Sequence, residues 1–192
     1  MSNTSDNWPI AIGVLSRMSC ELLAILRSPA RRQAEGMATP QHPIHTGFSA
    51  SSTASDVLRN VDLTGRTAIV TGGAAGLGLA TVRTLAAAGA RVRVGSRDIH
   101  RARAALDEAG LGDVEVGALD LTDPRSVDAF ASAFIATARP LHILVNNAGL
   151  GTRERVLDSR GHELAFSTSH LGHFRLTRAL LPALQAAHGA GW

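Results

Sequence analysis

Short apolar or alternating runs are separated by longer amphipathic stretches from about residue 63 onward. The runs at 67–70, 91–95, 113–119 and 141–145 have the length and the flanking turn residues of strands. The stretches between them place apolar residues at the three- and four-residue spacing of a helix that packs one face on a core. Strands that alternate with helices in this way predict an α/β protein with a parallel sheet.

The first predicted strand leads into a glycine-rich stretch, and a helical pattern follows. The stretch reads Thr71-Gly72-Gly73-Ala74-Ala75-Gly76-Leu77-Gly78. A strand, a glycine turn and a helix in this order point free backbone N–H groups at a phosphate. Because glycine has no side chain, the backbone can turn tightly and approach the phosphate closely. Glycines can also mark a simple turn, so the nucleotide-binding interpretation depends on the flanking strand and helix.

A second motif, Asn146-Asn147-Ala148-Gly149, follows the fourth predicted strand. With the TG-x3-G-x-G turn before it, this motif resembles the short-chain dehydrogenase/reductase family, in its retinol-dehydrogenase-like and WW-domain-oxidoreductase-like branch. The resemblance runs from about residue 53 to about residue 184. It implies a Rossmann-like, doubly wound parallel sheet with strand order 3-2-1-4, which we expect to be partial, truncated before a fifth strand. It also implies a nicotinamide-dependent oxidoreductase of carbonyl or alcohol substrates.

The resemblance places the cofactor at the glycine turn and at the ends of the strands. The second strand ends at Ser96, where NAD-dependent relatives carry Asp, and Arg97 follows. An arginine there accommodates the 2′-phosphate, so we expect NADP in preference to NAD. Alternatively, Arg97 is a solvated charge, and Asp98 can cap the next helix in either case. The implied cofactor residues are Gly72, Gly73, Gly76, Leu77, Gly78, Ser96, Arg97, Asp120, Leu121, Asn147, Ala148 and Gly149.

Catalysis in the family, as the resemblance implies, uses a Tyr-x-x-x-Lys pair with a serine and an asparagine. This chain has no tyrosine, and all nineteen of its basic residues are arginine. Ser169 stands where the asparagine is expected, in a segment that resembles Asn-His-Leu-Gly-His-Phe. We therefore expect no catalytic residue here, and a cofactor-binding half that is inactive alone and handles substrate only if a missing segment completes it. An NADP(H)-binding module and a gene remnant without a selected function are the open alternatives.

Other classes of site find little support in the sequence. His170 and His173 lie three apart on a predicted helix, but no acidic residue or cysteine is spaced to join them, so we expect packing roles and no metal. The net charge is +3 with dispersed arginines, which argues against nucleic acid. No run approaches the roughly 20 apolar residues that cross a bilayer. A single cysteine, Cys20, fits a reducing compartment, and we expect a cytoplasmic protein.

Composition divides the chain into three segments. Residues 1–36 resemble no family segment, and we expect an extension that is disordered or results from an over-extended start, with Met37 as the true one. A secretory signal fits less well, because Arg17 and Glu21 interrupt the apolar stretch. An organellar presequence, which the arginines of this segment and its few acids could indicate, is also less favoured than an over-extended start. Residues 37–62 predict a mobile lead and an approach segment. Residues 63–192 predict the incomplete NADP-binding domain.

Three local features carry further expectations. Asp123 and Pro124 predict a helix start, with Asp as the cap and Pro at the first helical position. The last helical pattern covers 161–187, and we expect Pro182 to bend or break that helix near its end. The run 141–145 becomes an exposed sheet edge if no fifth strand pairs with it, which would favour aggregation.

Overall fold

The structure is a computed structural model that describes residues 11–12, 46–151 and 154–188. The chain divides into two units, Met1–Gly13 with Thr53–Trp192 and Val14–Ser52. In the second unit the described residues 46–52 include a turn in which the Ser52 N–H donates to the Ser49 carbonyl over 3.0 Å. The predicted segment 37–62 therefore falls partly in each unit.

Strands and helices alternate through the first unit, as the apolar pattern predicts. The strands are β1 (Ala11–Ile12), β2 (Thr67–Thr71), β3 (Arg91–Ser96), β4 (Glu115–Ala118) and β5 (Ile143–Val145). The helices are α1 (Ala54–Val57), α2 (Gly76–Ala87), α3 (Ile99–Glu108), α4 (Pro124–Ile135), α5 (Leu164–Phe166) and α6 (His173–His188). A π-helix, Ser167–Gly172, joins α5 to α6.

The strands form one parallel sheet with the order β1-β5-β2-β3-β4. Without β1, this arrangement is the predicted 3-2-1-4 order, which the structure confirms. β2 lies in the interior of the sheet, where Val70 pairs with Val94 on one side and with Val145 on the other. Every residue of β2 is buried, as expected for a strand with helices on both faces.

β1 is a two-residue strand that the sequence did not predict. Ala11 pairs with Leu144 and Ile12 with Val145, both in parallel register on the outer side of β5. At these two positions the chain therefore pairs with the sheet, so Leu144 and Val145 have a neighbour along the side for which the sequence predicted an exposed edge. Strand addition satisfies backbone N–H and C=O groups that an edge would leave without partners. The rest of segment 1–36 lies outside the described residues.

Helices cover the two faces of the sheet with separate apolar clusters. The cluster between the sheet and helices α2 and α3 includes Ala68, Val70, Val82, Val94 and Leu106. The cluster between the sheet and helices α4 and α6 includes Ile69, Phe130, Phe134, Leu176 and Leu180. Neighbouring residues of β2 thus point to opposite faces, which is the period-2 alternation of a strand. The carboxyl ends of the strands remain open between the two layers.

Local signals place most of the helix ends. Asp98 and Asp123 cap α3 and α4 as predicted, each accepting a backbone N–H over 2.9 Å, and Pro124 is the first residue of α4. The last helix begins at Leu164 rather than at residue 161, because the Glu163 carboxylate caps it there.

Pro182 does not break the last helix, which continues to His188. A proline inside a helix removes one backbone donor and crowds the preceding turn. Buried residues on both sides of it, Leu180 and Ala183, pack in the cluster shared with α4. Of the two expected effects, a bend or a break, the break is therefore wrong, since the helix is continuous through the proline.

Candidate functional site

A cavity of about 650 Å³ opens at the carboxyl ends of β2, β3, β4 and β5. In parallel α/β sheets this edge is where ligands bind, and the volume is typical of ligand pockets. Eleven of the twelve predicted cofactor residues line the cavity: Gly72, Gly76, Leu77, Gly78, Ser96, Arg97, Asp120, Leu121, Asn147, Ala148 and Gly149. Segments that are far apart in the sequence therefore meet around one space.

The N-terminus of α2 faces this cavity without a side-chain cap. Its N-cap residue is Ala75, which makes no capping hydrogen bond, and its first turn contains no acidic residue. The first four N–H groups of a helix have no partner within the helix. These donors and the positive end of the helix dipole suit a bound anion such as a phosphate.

Two glycines shape this part of the cavity wall, Gly76 by leaving it free of a side chain and Gly78 by allowing close packing against Gly72 and Asn147. Gly76 has φ +52°, and a Cβ built on it meets no atom within 4 Å, so a side chain there would occupy the open space. A Cβ on Gly78 would lie 2.2 Å from the Gly72 carbonyl oxygen and 2.6 Å from Asn147 Nδ2. The backbone can thus contact a ligand directly, which fits the pyrophosphate of a dinucleotide.

Gly73 differs from the other predicted site residues because it does not line the cavity. A Cβ built there would lie 2.8 Å from methyl groups of both Val82 and Val94, beneath the turn. The sequence predicted a cofactor residue at this position. The structure instead places Gly73 where it lets α2 pack closely on β3.

Hydrogen bonds between Thr71 and the Asn147-Ala148 segment hold the end of β2 to the end of β5. Thr71 Oγ1 accepts from the backbone N–H groups of Asn147 over 3.0 Å and of Ala148 over 2.9 Å. Asn147 Nδ2 donates to the carbonyls of Thr71 over 3.0 Å and of Gly72 over 3.4 Å. The Asn147 side chain is committed to these bonds, so its amide nitrogen positions the glycine turn.

The ends of β3 and β4 form the opposite wall. Ser96 Oγ donates to the Asp98 carbonyl over 3.0 Å, and the exposed Arg97 side chain borders the cavity. Asp120 Oδ1 accepts from the Thr122 N–H over 2.8 Å and from its hydroxyl over 2.7 Å. Asp120 Oδ2 makes no hydrogen bond with the described residues and can accept one from a ligand.

The π-helix forms the remaining wall and carries a residue that the sequence analysis missed. Thr168 lines the cavity, and its buried Oγ1 has no partner among the described residues. Ser169, which stands where the family's asparagine is expected, is exposed and outside the cavity lining. A Cβ on Gly172 would lie 2.3 Å from the Leu121 carbonyl oxygen, so the π-helix packs directly on the segment after β4.

Asp158 anchors this π-helix from the preceding loop. Its carboxylate accepts from Ser167 Oγ over 2.6 Å, from the N–H groups of Arg160 and His162 over 2.9 Å each, and from the Arg160 guanidinium over 3.2 Å. The side chain of Asp158 is only 3% exposed. These bonds, with that from Ser167 as the largest cause, hold the Asp158 pKa well below its usual range.

The two helical histidines have separate local partners. The His170 ring stacks on Phe166 with centroids 5.1 Å apart, and His173 is buried with Nε2 2.9 Å from Thr71 Oγ1. Within the described ranges, no three His, Cys, Asp or Glu side chains are arranged to hold a metal ion. Nor does any helix there have the length and apolarity to span a bilayer.

The sheet order, the uncapped α2 and the glycine-walled cavity define a Rossmann-type dinucleotide-binding protein. Comparison with known sequences agrees, since the family model described as short chain dehydrogenase matches residues 66–191. This chain belongs to the short-chain dehydrogenase family.

Individual relatives support the assignment. A probable oxidoreductase of Streptomyces lividans is 48% identical over 134 residues, covering 68% of this chain and 44% of the relative. Human retinol dehydrogenase 12 is 39% identical over 132 residues, covering 67% and 42% respectively. A metagenomic short-chain oxidoreductase in complex with NADP matches with a TM-score of 0.55 and 34% identity, covering 65% of this chain and 59% of that chain. The chain thus spans less than half the length of these curated relatives.

Proposed function

We propose that the cavity binds a nicotinamide dinucleotide with its pyrophosphate at the N-terminus of α2. The observation that carries this proposal is the uncapped helix start at Ala75, which opens onto a wall of bare backbone at Gly76. Asp120 would accept a hydrogen bond from the adenine amino group through its free oxygen. Ala148 and Gly149 let the backbone approach the other half of the cofactor.

NADP(H) is the preferred cofactor in this proposal. Arg97 is exposed beside Ser96, and the Asp98 carboxylate that also lines the cavity accepts the backbone N–H of Arg101 through its Oδ1 as the cap of α3. A hydrogen bond to a charged group contributes roughly 1.5–3 kcal/mol, which corresponds to a preference of roughly ten- to a hundred-fold. The NADP in the metagenomic relative is a property of that protein and supports this direction.

By family, the reaction is the oxidation of an alcohol or the reduction of a carbonyl. The bound cofactor supplies or accepts the hydride. This chain positions the cofactor, but it contains neither tyrosine nor lysine to move the accompanying proton. General acid–base catalysis contributes roughly 10²–10⁴-fold in rate. We therefore propose that the chain alone, in a reducing cytoplasm as its single cysteine suggests, binds cofactor without measurable turnover.

A second candidate is an NADP(H)-binding module whose function is binding itself. The same observation favours it, because the cradle is formed by residues of this chain while the proton-transfer pair is absent from the sequence. The two proposals share the binding site and differ in whether groups from outside the chain complete catalysis.

Titration calorimetry with NADPH and NADH tests the proposal. Wild-type protein should bind NADPH more tightly, and Arg97→Ala should reduce the preference by about ten-fold. Arg83→Ala, an exposed arginine on α2 outside the cavity, is the matched control. Absence of binding to either cofactor would overturn the site. Steady turnover that co-purifies with the chain and disappears in Gly78→Ala would overturn the expectation of inactivity.

A further inference from the structure

Thr168 carries a buried hydroxyl in the wall of the cavity. It is the second residue of the π-helix Ser167–Gly172 and lines the cavity, and its Oγ1 atom has no hydrogen-bond partner among the described residues. A buried hydroxyl without a partner costs free energy, because it has lost its hydrogen bonds to water. A ligand that supplies a partner therefore recovers this cost at Thr168.

Threonines of the α-helices satisfy their hydroxyls within their own helix. Thr81, Thr84 and Thr177 each donate to the carbonyl four residues earlier, over 2.9, 2.9 and 2.8 Å respectively. In a π-helix the backbone hydrogen bonds span five residues rather than four, and such segments often lie at functional sites. The Thr168 hydroxyl makes no bond of this kind, so it is not committed to holding its own helix.

Close packing places the π-helix at the carboxyl end of β4. A Cβ built on Gly172, the last residue of the π-helix, would lie 2.3 Å from the Leu121 carbonyl oxygen. The segment that follows β4 lines the cavity with Asp120 and Leu121, together with Thr168. The hydroxyl therefore belongs to the part of the cavity that contains the available Asp120 oxygen.

The chemistry of these two side chains limits which ligand group fits there. Asp120 Oδ2 can only accept a hydrogen bond, whereas the Thr168 hydroxyl can donate or accept. Adenine presents an amino donor beside ring nitrogens that accept. Leu119 and Leu121 line the same cavity with apolar side chains, which suit the flat faces of a base. A base with an amino donor and a nearby ring acceptor thus matches this set of groups.

We propose that the Thr168 hydroxyl donates a hydrogen bond to a ring nitrogen of the adenine base, so that Thr168 recognises the base together with Asp120. This inference rests on the proposed dinucleotide function. Rotation about χ1 exchanges Oγ1 with the methyl group and turns the hydroxyl towards the cavity. Threonine populates two χ1 rotamers in helices, so this rotation needs no change in the backbone. Asp120 then accepts from the amino group of the same base.

Calorimetric titration of the full chain with NADPH, NADH, adenosine 5′-phosphate and reduced nicotinamide mononucleotide tests the inference. Thr168→Val replaces the hydroxyl by a methyl group and should weaken the three adenine ligands by about three- to ten-fold. It should change the affinity for the mononucleotide, which has no adenine, by less than about two-fold. Thr168→Ser keeps the hydroxyl and should bind as wild type does. Thr84→Val, outside the cavity lining, is the matched control.

Base analogues identify the acceptor. The 1-deaza, 3-deaza and 7-deaza forms of adenosine 5′-phosphate each replace one ring nitrogen by carbon. Wild type should bind one of the three more weakly than adenosine 5′-phosphate, by about the factor that Thr168→Val loses. Thr168→Val should bind that analogue and the parent nucleotide about equally.

Thermal melts separate base recognition from a structural role. Because the hydroxyl has no partner to lose within the described residues, Thr168→Val should melt at or above the wild-type temperature. A lower melting temperature would assign the hydroxyl to the protein interior and overturn the inference. Equal weakening of all four ligands, or of none, would also overturn it and leave the dinucleotide site standing. If wild type binds none of them, both proposals are wrong. Thr168→Ala decides the question if Thr168→Val does not fold.

Discussion

The Nε2 atom of His173 lies 2.9 Å from the hydroxyl oxygen of Thr71. His173 Nδ1 lies 3.1 Å from the Ser169 carbonyl, which can only accept, so the hydrogen bonds assign the ring hydrogen to Nδ1. In the neutral ring Nε2 is then an acceptor for the Thr71 hydroxyl hydrogen. The same hydroxyl oxygen accepts the N–H groups of Asn147 and Ala148, so His173 completes the set of bonds that joins β2 to β5.

This arrangement predicts an acid-sensitive stability. Burial lowers the pKa of His173 below its ordinary value of 6.5, so the folded protein binds this proton less readily than the unfolded chain. The contribution of His173 to the free energy of unfolding is therefore fully present above about pH 6.5. It falls as the pH decreases toward the lowered pKa of the folded state. Denaturant unfolding from pH 8 to pH 5 should show a steeper loss for wild type than for His173→Gln.

His142 provides the control for that measurement. Its pKa is also lowered, mainly by burial, and it remains in both proteins, so it contributes equally to both curves. At pH 8, His173→Gln should be less stable by about 1–3 kcal/mol, because the Thr71 hydroxyl loses the His173 ring nitrogen at 2.9 Å and keeps only the longer bond to the Val145 carbonyl, 3.4 Å. Parallel curves over the whole range would show that His173 does not titrate differently in the folded protein.

The glycine turn predicts two alanine substitutions of different severity. Gly78→Ala places a methyl group 2.2 Å from a backbone oxygen and should cost about 3 kcal/mol or more. Gly76→Ala meets no atom but strains a backbone with φ +52°, which costs about 1–2 kcal/mol. Urea unfolding measures both, and Gly112→Ala should lie within about 0.5 kcal/mol of wild type. Equal losses at the two positions would contradict the steric explanation.

The Asp158 carboxylate should make the loop before the π-helix sensitive to strong acid. Since its folded pKa lies below the unfolded value of 3.8, its contribution is complete above about pH 4 and is lost as the pH falls through the folded pKa. The melting temperature of wild type should approach that of Asp158→Asn between pH 4 and pH 2. Asp113→Asn, an exposed carboxylate without a hydrogen bond to the described residues, should follow wild type throughout. A constant difference between wild type and Asp158→Asn at all pH values would refute the prediction.

The pairing of β1 with β5 predicts a solubility effect of the N-terminus. Deletion of residues 1–13 removes the partner of Leu144 and Val145 and leaves their edge open to other chains. Light scattering of the purified protein should show faster aggregation than for the full chain. Deletion of residues 1–8 shortens the N-terminus but keeps Ala11 and Ile12, and should behave as the full chain does. A chain that begins at Met37 also lacks Ala11 and Ile12, so it should aggregate as fast as the 1–13 deletion does.

Local chemistry explains how much of this fold and site the sequence determined by itself. The turn from β2 to α2 was predictable because glycines and an uncapped helix start act within a few residues of one another. The caps at Asp98 and Asp123 are equally local. The strand order and most of the cavity lining followed from the family resemblance, since both motifs stand at strand ends.

Only the tertiary structure decided which residues share a space across long separations in the chain. Gly73 and Gly76 have the same chemistry but different surroundings. Gly73 packs against Val82 and Val94 in the core, whereas Gly76 lies at the cavity. Arg97 and Asp120 lie in separate segments of the sequence, and they line one cavity because β3 pairs with β4. His173 is a helical histidine by pattern, and it contacts Thr71 because the start of α6 lies beside the end of β2, although the two residues are 102 positions apart. Contacts of this kind depend on how the layers assemble, which local sequence does not encode.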